Sequence, residues 1–145
     1  TVDAAISVNR KEYPTPPKLF RWSSDVETLW CRYQAYLAGE ENLLPMAYSC
    51  LTLIEKNGGG RRGAATMYKI DKAVLDKLGE LTATRGDATT ARKFSRRMTP
   101  LSATEAQWVE AAVTATIHRV GEQVSAGSLP RIGMSDLPTL WQGSR

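Results

Sequence analysis

The sequence predicts an all-α fold, a small helical domain of about five to six helices with irregular N- and C-terminal arms. Three observations lead there. Apolar residues recur three and four positions apart in several segments, which is the spacing of one helix face. Serine followed three residues later by glutamate stands ahead of two of these segments, at Ser24/Glu27 and Ser102/Glu105, the pattern of a reciprocal N-terminal cap. No stretch alternates apolar and polar residues long enough to build a sheet, and no internal repeat is visible. A chain of 145 residues, 42% of them hydrophobic, suits one buried core.

Residues 1–22 carry Pro14, Pro16 and Pro17 among lysines and arginines. Each proline fixes φ and biases its predecessor away from helix, so this reads as an extended arm anchored by Leu19, Phe20 and Trp22. The helical domain is expected over 23–127. Its first helix, 24–38, follows from Val26, Leu29, Trp30, Tyr33 and Leu37 and stops at Gly39. The second, 42–56, has Pro45 in its first turn and is apolar on nearly every side through Leu43, Leu44, Met46, Ala47, Cys50, Leu51, Leu53 and Ile54, which makes it the central helix. Asn57 to Gly60 is a stop signal. Two short helices, 61–69 and 71–81, then join at Ile70, and 88–94 is a candidate for another. The last long helix, 103–125, shows the stripe Val109, Val113, Ile117, Val120 and Val124 and ends before Gly127. Pro130, Gly133, Pro138 and Gly143 leave 128–145 as an irregular tail, pinned by Leu137, Leu140 and Trp141.

Several function classes are excluded or disfavoured. The most apolar stretch, 43–54, is shorter than the roughly 20 residues a membrane span needs, so no membrane association is expected. The first residues lack a signal-peptide pattern, and Thr1 reads as a processed or trimmed end. Cys31 and Cys50 both fall in apolar helical patterns and fit buried thiols in a reducing cytoplasm. His118 is the single histidine, which excludes a histidine-rich metal site and any mechanism needing two imidazoles. Its helical neighbours Gln107, Thr114 and Glu122 form a polar stripe, which predicts a surface His118–Glu122 pair and a histidine dispensable for function. The glycine-rich run 58–63 lacks the Gly-Lys-Ser/Thr ending of a phosphate loop and reads as a helix linker. Arg85-Gly86-Asp87 reads as a turn. Neither a catalytic set nor a cofactor or metal site is expected.

The spacing of Ala64, Ala65, Tyr68, Ile70, Val74, Leu75 and Leu78 fits two short helices crossing over a shared apolar seam, and the segment 61–81 resembles a helix-turn-helix. The resemblance implies that small residues let the helices approach, that Ile70 plugs the turn, and that the second helix offers its outer face to a DNA major groove. Lys69 stands where that family usually has glycine. The outer face itself, Lys72, Ala73, Asp76, Lys77 and Glu80, is poor in the residues that read bases, and 71–80 holds two basic residues against three acidic. The stretch 46–55, MAYSCLTLIE, with the Trp22 and Trp30 neighbourhood and the last helix, is also similar to short bacterial proteins of unassigned function, which implies no activity.

Charge is unevenly placed. Eleven lysines and arginines face four acids within 56–97, while 1–55 and 98–145 are each slightly negative. Two readings follow. The first is a non-enzymatic helical module that binds another protein, a reading that solvent exposure of Trp22 and Trp141 would favour. The alternative is a nucleic-acid-binding domain using this basic centre, with phosphate contacts from Arg61, Arg62, Arg92, Lys93, Arg96 and Arg97 rather than from Lys72 and Lys77, whose charges the adjacent acids offset.

Overall fold

A computed structural model of the chain describes residues 20–86, 98–123 and 128–140. The arm before Phe20, the candidate helix at 88–94, Gly127 and Trp141 lie outside them. The described residues form five α-helices, α1 (Ser24–Leu37), α2 (Leu43–Gly58), α3 (Arg61–Tyr68), α4 (Lys72–Thr84) and α5 (Ala103–Gly121), and a 3-10 turn at Met134–Asp136. There is no sheet among them, only two isolated bridge pairs. The fold is all-α, as the apolar spacing predicts.

Helix α1 is capped one residue earlier than the sequence predicts. Ser23, not Ser24, is the N-cap, and its hydroxyl accepts from the Val26 amide at 3.2 Å. At α5 the reciprocal cap forms as read: the Glu105 amide donates to Ser102 Oγ and the Ser102 amide to Glu105 Oε1, both at 3.0 Å. Each satisfies a donor that the first helical turn leaves without a partner.

Helix α2 is the centre of the molecule and packs against all four other helices. Leu43, Leu44, Met46, Ala47, Cys50, Leu51 and Ile54 are buried, while Tyr48 stays exposed. Complete burial of an aliphatic side chain contributes roughly 1.5 to 3 kcal/mol, so this one helix anchors the core. Trp108, Val109, Ala112, Val113 and Ile117 of α5 and Val74, Leu75, Leu78 and Leu81 of α4 complete it.

Two junctions set the geometry of the α3–α4 hairpin. At Gly59 (φ 73°) the chain leaves α2, and α3 then starts so close to α2 that a β-carbon on Gly63 would lie 1.8 Å from the Gly58 carbonyl oxygen. At the other end, Lys69 itself adopts the left-handed conformation (φ 55°, ψ 51°) that usually falls to glycine. The sharp turn therefore forms without glycine, and Ile70 is buried beneath it.

The C-terminal turn of α5 is buried on every side, contrary to its polar stripe. Helix α5 ends at Gly121 rather than near 125. The Arg21 amide donates to the Gly121 carbonyl at 2.6 Å, and the Phe20 ring lies against Gly121 and edge-on to His118, with ring centroids 6.2 Å apart. His118, Arg119 and Glu122 are consequently buried.

Candidate functional site

The hairpin's outer face is a network of opposite charges. Lys72 Nζ lies 3.1 Å from Asp76 Oδ2, and Lys77 Nζ lies 3.2 Å from Glu80 Oε1. Arg61 reaches across Gly79 to join three helices, with Nε 2.6 Å from Glu55 Oε2 and Nη1 3.2 Å from Asp76 Oδ1. The hydrogen bond to Glu55, more than that to Asp76, raises the proton affinity of the guanidinium, and the Lys72 bond leads in holding the Asp76 carboxyl below its usual range. Arg61 is thus a crosslink between α2, α3 and α4. Its neighbour Arg62 is exposed and has no ion pair with any described residue. Lys56 is exposed at the adjacent end of α2. Arg92, Lys93, Arg96 and Arg97 lie outside the described residues.

Behind the hairpin turn sits a polar hub that the sequence did not announce. Arg119, 4% exposed, donates from Nη1 to the carbonyls of Tyr68 (3.0 Å) and Lys69 (2.9 Å), and from Nη2 to the carbonyl of Pro130 (3.0 Å). Its Nε bonds Glu122 Oε1 at 3.3 Å. Burial raises the Glu122 carboxyl above its ordinary range, and the Arg119 charge works against that rise. A buried guanidinium is tolerated because its donors meet acceptors in a fixed fork. Here the two carbonyls at the end of α3 are among the groups a helix terminus leaves without partners.

On this hub the tail forms a strap. The Ile132 amide donates to the Lys69 carbonyl at 3.0 Å and the Asp71 amide to the Ile132 carbonyl at 2.7 Å, a single parallel bridge that flanks Ile70 on both sides. Ile132 is buried, and Arg131 Nε lies 3.5 Å from Asp71 Oδ1. Leu137 and Leu140 pack on the core as expected, but Ile132 is the residue that locks the tail. The signals were slight: one arginine between the apolar stripe residues Ile117 and Val120, and one branched residue isolated between Arg131 and Gly133.

The remaining candidates resolve differently from their expectations. His118 is not the surface partner of Glu122, which pairs with Arg119. Burial against Phe20 lowers the pKa of its imidazole, because a dry site disfavours the cation. Cys31 is exposed rather than buried, whereas Cys50 is enclosed and burial pushes its thiol up to about 12, which leaves it inert as a nucleophile at neutral pH. Trp22, Leu37, Tyr48 and Met134 are the large apolar side chains with most exposure among the described residues. No described helix is long and apolar enough to cross a membrane, and among the described residues no three His, Cys, Asp or Glu side chains converge as a metal site. No family model matches the chain, and neither a curated protein nor a solved structure matches it.

Proposed function

We propose that the domain is a non-enzymatic helical binding module, an adaptor or regulatory unit of the cytoplasm that works by engaging another protein. The observation that carries this reading is the self-neutralised outer face of α4, where Lys72 and Lys77 each have a carboxylate within 3.2 Å. A helix that reads nucleic acid needs cations and amides free to meet phosphates and base edges. Apolar side chains stand at the surface instead, Leu37 at 57% exposure and Trp22 at 39%. An anisotropy titration with random duplex and single-stranded oligonucleotides at about 50 and 200 mM salt tests it, since phosphate contacts weaken steeply over that interval. No saturable binding at the higher salt is expected.

The second reading, a nucleic-acid-binding domain with a helix-turn-helix-like hairpin, draws support from the eleven cations against four acids in 56–97 and from the exposure of Arg62. It expects contacts from Arg61, Arg62, Arg92, Lys93, Arg96 and Arg97. Under it, Arg96→Glu with Arg97→Glu weakens binding to all sequences alike and flattens the log-log salt slope by about 0.9 for each duplex phosphate no longer neutralised. Loss of binding through Lys72 and Lys77 changes alone would instead make α4 the reader.

A further inference from the structure

We propose that the α3–α4 turn and the end of α5 form a docking groove for an extended segment of a protein partner, and that the strap at 130–133 is a ligand held there in cis. The inference rests on the protein-binding reading and names its site. Three features define what the groove takes.

The first is main-chain recognition. The Lys69 carbonyl and the Asp71 amide point to one side of the turn and bind the amide and carbonyl of a single residue, Ile132. This is how an extended peptide adds to an exposed backbone edge, reduced to one residue pair. The second is side-chain selection. Ile132 is buried beside Ile70, Arg131 faces Asp71, and a β-carbon on Gly133 would lie 2.7 Å from Asp71 Oδ2. The fitting sequence is therefore a basic residue and a branched aliphatic residue in extended form, with glycine favoured next because a β-carbon there would push aside the carboxylate that faces the basic residue. The third is that most of the groove is built without the strap. Arg119 is fixed by α5 and Glu122, and its bonds to the Tyr68 and Lys69 carbonyls hold the turn, so one donor, Nη2, is left to grip the carbonyl two residues before the aliphatic one.

The strap's hold rests mainly on one side chain, Ile132. Beyond the burial of Ile132, it consists of two main-chain bonds, the carbonyl contact and an ion pair whose two side chains are both nearly half exposed. Exposed pairs of this kind are weak in water. A partner segment with the same three residues presents the same groups, and the cis strap sets the threshold it must exceed.

The test uses a labelled peptide with the sequence of residues 128–136 and the full chain. Ile132→Asp loosens the strap, so the folded variant is expected to bind the peptide at least about tenfold more tightly than the unmodified chain does. Adding Asp71→Lys to that variant should weaken binding about threefold, and a peptide with glutamate in place of its arginine should restore it. Should Ile132→Asp not fold, Arg131→Glu, a surface change, decides the matter with an expected gain of about threefold. Equal binding by the unmodified and loosened chains, or none by a folded loosened chain, overturns the proposal. A concentration-dependent dimer of the unmodified chain also overturns it, since the strap would then be exchanged between two copies. The broader protein-binding reading fails separately, by saturable binding of the unmodified chain to oligonucleotide, which leaves the peptide result as it stands.

Discussion

Lys69 carries a conformation that L-residues avoid, because the β-carbon crowds the following carbonyl in the left-handed region. Its carbonyl is bound from two directions, by Arg119 and by the Ile132 amide, and these bonds hold the turn in place of glycine. Lys69→Gly should stabilise the domain by about 0.5 to 1 kcal/mol in urea melts, relief of strain exceeding the added freedom of the unfolded chain, whereas Lys69→Val should destabilise it. His118 gives a pH signature. Its folded pKa lies below the ordinary value of about 6.5, so its contribution is fully present above that value and is lost as pH falls through the folded pKa. The urea midpoint of the parent should therefore drop between about pH 7 and pH 5 more than that of a folded His118→Gln variant. Glu122, raised by burial, contributes in the opposite sense, being most favourable at low pH, and the comparison with the variant removes it. A helical wheel cannot show such burial. The stripe through Gln107, Thr114 and His118 is correctly polar at its first members, and only the covering by Phe20, far away in sequence, and by the tail that follows makes its last turn dry.

At the scale of elements, periodicity was enough to place all five described helices, because the apolar faces are long and continuous. Their ends were less legible: α2 runs to Gly58 rather than 56 and α4 to Thr84 rather than 81, since caps and tertiary contacts decide the last turn. The glycine-rich stretch 58–63 reads in sequence only as a helix linker, yet it also serves the crossing of α2 and α3. A methyl group at Gly63 would meet the Gly58 carbonyl, and neither backbone can yield without moving a helix. Gly63→Ala should cost about 3 kcal/mol or more, at the upper end for overpacking. Gly79→Ala is the control: the new methyl meets only the flexible end of Arg61, so the cost should stay under about 1 kcal/mol. Ile54→Ala, in the centre of α2, should lose about 2 to 5 kcal/mol, and a loss under about 1 kcal/mol would remove α2 from the core.

For the whole molecule, burial predicts a hierarchy of opening. Amides of Cys50, Leu51, Ile54 and Val113 sit in helices buried at the centre and should exchange with solvent only through global unfolding. The Ile132 and Asp71 amides, each held by one bond at the rim, should exchange through a lower-energy local opening, and equal protection of both sets would show that the strap is part of the cooperative core. The candidate site was the least legible level. Charge counting anticipated correctly that acids offset Lys72 and Lys77, because those pairs are three and four residues apart on one helix. It did not anticipate Arg61's bond to Asp76, Arg119's bonds to the turn, or Ile132's, which span 15 to about 60 positions and have no local pattern.

The hub at Arg119 also orders events in time. During synthesis the hairpin 61–84 emerges well before the residues that fix its turn, for Arg119 follows Lys69 by 50 positions and Ile132 by 63. At about 5 to 20 residues per second, the interval is roughly 3 to 13 s. Throughout it the nascent hairpin must keep Ile70 and the end of α3 covered by other means or leave them open to chaperones, and the native turn becomes secure only once residue 132 has been made.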